Sequence, residues 1–166
     1  VAVFAAGNLR MPSRSFSGAV VIDDRHSEYW ASAGRRMSTE WYGDFSTYNL
    51  AAVTEYLGHF YPVRVNRTGR YTPGSLDDVG VLVLKTPTVD FDEQEVATIL
   101  DFVEAGGGLV LLGDHTNLMG TSSRLNRFAV PAGIAFVFDA VSQSRGGGFS
   151  LSPAPELPHP VRGPNP

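Results

Sequence analysis

The chain has 166 residues, 43% of them hydrophobic and 18% charged, which fits about one packed domain and argues against a disordered chain. Its net charge of -4 gives no basic footprint for nucleic acid or an anionic membrane. It has no cysteine, so disulfides, thiolate metal sites and a Cys nucleophile are all excluded, while the compartment stays open.

The first residues, VAVFAAG, are apolar but far shorter than a membrane helix needs, and no other run approaches that length. Because the chain begins without Met, we read it as a segment of something longer. Residues 1–17, polar and basic around Pro12, read as a linker or loop. Gly18 opens GAVVID, a continuous apolar run ending at Asp23, the signature of a strand buried on both faces. A polar and aromatic stretch without a clean period follows. From Ser46, a plausible N-cap, Leu50, Val53 and Leu57 recur at helical spacing, and Gly58 is placed to stop that helix.

Pro62 to Arg67, PVRVNR, alternates like a half-exposed or edge strand. A loop with Gly69, Pro73 and Gly74 leads to VGVLVLK, Val79 to Lys85, a second apolar strand stopped by Pro87. The next helix is the most strongly specified element. Asp92 with Glu95 predicts a capping box, and Phe91 with Val96 its hydrophobic staple. Val96, Ile99, Leu100 and Val103 form one apolar stripe, and Gly106 supplies a left-handed C-terminal cap. LVLLGD, Leu109 to Asp114, reads as a third buried strand. A short helical piece is expected around Leu125 to Phe128, and IAFVFDAV, Ile134 to Val141, as a fourth core strand. Residues 142–166 hold Gly146-Gly147-Gly148 and six of the eleven prolines, and read as a Gly/Pro-rich loop or tail.

Strands separated by helices imply βαβ crossovers. The expected fold is α/β over residues 18–141: an open, doubly wound, mostly parallel sheet, a flavodoxin-like three-layer sandwich with helices on both faces.

The run VVIDDRHSEYW, then YNLAAVTEYL, VLVLKTP, FDEQEVATILDFVEAGGGLVLLGDHTN and LNRFAVPAGIAFVFDAV resembles the class I glutamine amidotransferase-like domains, from about Ala19 to Val141. Within them it is most similar to the bacterial and archaeal type of uncharacterised function, related to trehalose-utilisation-like domains and to the N-terminal domain of an intraflagellar transport subunit. HPVRG, His159 to Gly163, is similar to a later segment of such domains. The resemblance implies the scaffold only. The enzymes of that class use a Cys on a tight elbow with His and acid partners, and this chain has neither a Cys nor a G-x-S-x-G substitute, so glutaminase chemistry is excluded.

In open α/β sheets ligands bind beyond the carboxyl ends of the strands, near the switch in strand order. Three apolar strands here deliver polar residues to that edge: Asp23, Asp24, His26 and Glu28; Lys85 and Thr86; and Asp114, His115, Thr116 and Asn117. If these strands are neighbours, the ten residues form one ligand-binding crevice. His115, Asp114 and His26 are the candidates for catalysis, with His115 as a general base oriented by Asp23 or Asp24 and charge steadied by Lys85 or Asn117. No cofactor is firmly implied. Asp24, His26, Asp114 and His115 are the residue types that hold a divalent ion such as Zn²⁺ or Mn²⁺, although their spacing matches no named motif.

Each residue also has a plainer role: Asp23 and Asp114 in Asx turns, the histidines in ordinary loops, Lys85 as a neutralising charge. The three glycines follow a helix and precede a strand, the reverse of a phosphate-binding loop, and read as a cap plus a tight turn. Tyr29, Trp30, Trp41, Tyr42 and Tyr48 suit a sheet-edge cover, or stacking on sugar rings or a partner. The leading functional reading is a non-catalytic module that binds a small polar ligand, for example a carbohydrate, or a protein partner or other domain of its parent. The alternatives are a hydrolase acting on a carbohydrate or ester, and a purely structural domain.

Overall fold

The computed structural model describes residues 18–27, 32 and 50–138 of the chain. Residues 1–17, 28–31, 33–49 and 139–166 lie outside the described residues, and with them Glu28, Ser46, the aromatic residues Tyr29, Trp30, Trp41, Tyr42 and Tyr48, and the HPVRG segment.

Four parallel strands form one sheet: β1 (Ala19–Asp23), β2 (Val63–Asn66), β3 (Val79–Lys85) and β4 (Gly108–Leu112), in the order β2-β1-β3-β4. Chain order runs outward from β1 to β2 on one side, then crosses back to β3 and β4 on the other. The switch in direction therefore lies between the carboxyl ends of β1 and β3, where such sheets bind ligands. Three α-helices lie among the described residues: α1 (Ala51–Gly58), α2 (Glu93–Glu104) and α3 (Thr121–Ala129). Strand parity sorts the sheet residues between its faces. Val21, Leu82 and Leu84 pack with Phe91, Val96 and Ile99 of the α2 segment and with Leu125 and Phe128 of α3. Val20, Ile22 and Val83 face the other way, against Leu57 of α1 and Tyr61. The result is the expected doubly wound α/β sandwich.

Local chemistry explains the best-defined unit. Asp92 accepts from the Glu95 amide at 2.9 Å, and Glu95 accepts from the Asp92 amide at 3.2 Å, a complete capping box. At the other end the Gly107 amide donates to the Phe102 carbonyl and the Gly106 amide to that of Val103, the paired bonds of a Schellman motif. Gly106 has φ +99°, and a Cβ at Gly107 would sit 2.3 Å from the Phe102 ring. The glycine run is thus a helix stop and a close turn, as its sequence context implies.

Three expectations need correction. β4 ends at Leu112 rather than Asp114: Gly113 lies against the Phe136 ring, where a Cβ would sit 2.7 Å from it. The last helix is longer than Leu125 to Phe128. The IAFVFDAV strand does not form over its described part, Ile134 to Phe138, which has no strand pairing. There Asn126 takes the ladder's place, donating to the Phe136 carbonyl at 3.0 Å and accepting from its amide at 2.7 Å.

Candidate functional site

The carboxyl end of β1 is built around two adjacent aspartates that turn in different directions. Asp23, the last residue of β1, is buried, and both its oxygens are engaged. Its Oδ2 accepts from the His26 amide at 3.0 Å and lies 3.0 Å from His26 Nδ1; its Oδ1 accepts from the Tyr71 hydroxyl at 2.8 Å. His26 is fully buried, with its ring stacked 3.7 Å from that of Phe91. Its Nε2 meets Arg25 at 2.9 Å and Glu95 Oε2 at 3.4 Å. Nε2 thus faces a donor, the Arg25 guanidinium, and an acceptor, the Glu95 carboxylate, while Nδ1 faces the Asp23 carboxylate. Arg25 also pairs with Glu95, whose Oε1 accepts from the Tyr71 amide. The capping glutamate of α2 therefore reaches across to the β1 tip and joins helix, strand and the Tyr71 loop in one buried network.

Asp24 turns toward β3. Its Oδ1 lies 2.9 Å from the Lys85 ammonium, at ion-pair distance but outside hydrogen-bond geometry, and its Oδ2 accepts from the Ser32 amide at 3.1 Å. Arg67 approaches to 3.9 Å. Lys85 is buried, so this is an ion pair inside the protein at the switch between β1 and β3. Thr86, the next residue, has φ +35°, a region that costs a β-branched residue strain, while its amide is held by the Leu112 carbonyl at 2.6 Å.

Beyond β4, Asp114 is half-buried and its carbonyl accepts from Ser122 Oγ at 3.4 Å. His115 opens an irregular segment to Gly120, in which Thr116, Asn117 and Met119 have positive φ and Leu118 is extended; the His115 side chain lies outside the described atoms. Thr116 is exposed. Asn117 bonds Ser123 twice, accepting from its amide and donating to its hydroxyl at 2.9 Å each, and so secures the first turn of α3.

The structure thus joins Asp23 with His26 and Asp24 with Lys85, each pair within the protein interior. Both oxygens of Asp23 serve His26 and Tyr71, so Asp23 orients His26. Among the described residues no group of three or more His, Cys, Asp or Glu is arranged to hold a metal ion. Tyr71, Glu95, Arg25 and Phe91 are the site residues that sequence reasoning left unassigned. Tyr71 sits in a loop that carries no pattern, whereas Glu95 was legible as a cap and gave no sign of its second task.

A concavity of about 1300 Å³ lies elsewhere, on the α1 side of the sheet, lined by apolar residues such as Val81, Val83, Val110 and Leu112. Its apolar lining differs from the strand tips, where buried charged groups lie.

Burial, reinforced by the adjacent Asp23 charge, holds the Tyr71 phenol far above the usual tyrosine range. A group whose folded pKa is raised contributes stability that is complete below its unfolded value of about 10 and is lost as pH rises beyond it. Stability should therefore fall from pH about 10 upward, and phenolate absorbance from Tyr71 should appear only with unfolding. In Tyr71→Phe the alkaline fall should be shallower; an unchanged slope in denaturant titrations would remove Tyr71 from this linkage.

No family model matches the chain, and neither does any curated protein or solved structure.

Proposed function

We propose that this chain is a non-catalytic class I glutamine amidotransferase-like module whose carboxyl sheet edge binds a small polar ligand within a larger protein. One observation carries the reading. The left-handed non-glycine residues of the described chain, Thr86, Thr116, Asn117 and Met119, all lie on the turns after β3 and β4. Each such residue costs on the order of 1–3 kcal/mol and persists where the surroundings enforce it, most often at ligand clamps and active sites. Here the strain sits on the edge that doubly wound sheets use for ligands, beside the Asp24–Lys85 pair.

The strand-to-helix turn after β4 supports the same reading. It is a strained elbow of the kind that carries a nucleophile in enzymes, yet this chain has no cysteine to place there. Binding without glutaminase chemistry is what remains. The ligand is polar and uncharged or zwitterionic, a carbohydrate among the candidates, since buried acids and bases here already pair with one another.

Amide NMR spectra recorded with millimolar neutral sugars, sugar phosphates and free amino acids test this. Binding should move the amides of Thr86 and of Gly113 to Asn117, leave those of β2 in place, and release no ammonia from glutamine. Shifts confined to other surfaces, or none from any compound, would retire the strand-tip site, and ammonia release would overturn the non-catalytic assignment.

A further inference from the structure

The described residues cover the two faces of the sheet unequally. On one face, Leu82 and Leu84 are sealed under α2 and α3. The other carries α1, eight residues long with none of them buried, beside the concavity of about 1300 Å³. Val53 of α1 and Val110 and Leu112 of β4, which line it, are 48%, 41% and 39% exposed. The apolar face of a strand in a parallel sheet is normally covered, and a contiguous apolar concavity marks a docking surface.

Charge and chain path both limit what fits there. Among the described residues, the charged groups lining the concavity are acids alone, Asp77 and Asp101. Asp77, Val79 and Gly80 also bring its rim to the start of β1. There the Ala19 amide donates to the Asp78 carbonyl at 2.9 Å, and a Cβ at Gly18 would sit 2.7 Å from the Gly80 nitrogen. Gly18 has φ +113°, a conformation open to glycine that lets the chain turn sharply. Residues 1–17 therefore join the domain at the rim of the concavity.

We propose that the chain's own residues 1–17 occupy this concavity, with the apolar end VAVFAA against Val81, Val83 and Val110 and with Arg10 and Arg14 toward Asp77 and Asp101. Three properties fit. The segment begins with six consecutive apolar residues, which gain by leaving water. Its only charged side chains, Arg10 and Arg14, are basic, opposite in sign to those of the lining. Its length suffices: 17 residues reach up to about 56 Å, against roughly 23 Å for a seven-residue strand such as β3. The other long stretches fit less well. Residues 33–49 mix Arg35 and Arg36 with Glu40 and Asp44, while residues 139–166 mix both signs and hold six prolines. The segment that reads as a linker is thereby a part of the domain, the cover of its α1 face.

Because the chain has no cysteine, an introduced thiol is unique and carries a spin label to one chosen place. In the full chain, a nitroxide on Ala6→Cys or on Asn8→Cys should broaden the amide signals of Val81, Val83 and Val110 and leave those of α3 sharp. Adding Phe4→Asp, which puts a charge into the apolar end, should abolish the broadening with an unchanged circular dichroism spectrum. Arg10→Glu with Arg14→Glu should weaken it, and raised salt should weaken it in the unsubstituted segment. The proposal is overturned if neither label broadens the lining, or if the broadening survives Phe4→Asp undiminished. It is also overturned if those amides respond instead to a label on Ser38→Cys or Phe149→Cys, which would give the concavity to another stretch of the chain.

Discussion

His26→Ala should lower the unfolding free energy by about 3–5 kcal/mol, the range for deleting a large buried ring, to which leaving buried polar groups unpartnered adds. The imidazole stands between Asp23 and Glu95, both about 1% exposed, and its removal leaves carboxylate oxygens in the interior without the group that separated them. The ring also stacks on Phe91 at 3.7 Å, so the substitution opens a gap beneath α2 as well as removing the hydrogen-bond partner of Asp23. Since whole domains are stable by roughly 5–15 kcal/mol, much of the margin would go. Urea titration should show a lower midpoint with an unchanged slope. A loss under about 1 kcal/mol would mean that the network contributes little and that His26 is replaceable packing.

The second large effect is at the switch between β1 and β3. Lys85→Met should cost a further about 3–5 kcal/mol, because Asp24 would keep its charge beside an apolar side chain. Removing both charges should be much milder. The double variant Asp24→Leu, Lys85→Met is expected to recover most of the loss, though not the bond from the Ser32 amide to Asp24. A double-mutant cycle reads the coupling directly, and additive losses would show that the two residues do not act as a pair. If the double variant folds well but no longer binds a ligand that the wild type binds, the ion pair is kept for recognition and not for stability.

The fold was legible because its signals are local. Continuous apolar runs mark β1, β3 and β4, and Asp92, Glu95 and Gly106 announce both ends of α2 before any tertiary contact is known. IAFVFDAV shows the limit of that reasoning, for an apolar run specifies burial without specifying its partner, and Asn126 satisfies the backbone at Phe136 instead of a neighbouring strand. At the site, sequence order placed Asp23, His26, Asp24 and Lys85 at one edge. It could not show that Asp23 and Asp24 point apart, one into the α2 side and one toward β3, because consecutive residues at a strand end are free to diverge. Tyr71 and Glu95 entered through long-range packing, which leaves no periodicity to read.

The strand order has a consequence for biosynthesis. β1 lies between β2 and β3, so both of its neighbours are translated after it. About 60 residues separate the end of β1 from the end of β3, and at roughly 5–20 residues per second a ribosome takes about 3–12 s to make them. During that interval Ala19 to Ile22, apolar on both faces, can pair on one edge only, with β2 once that strand is made. β1 is therefore covered on both edges only when β3 arrives.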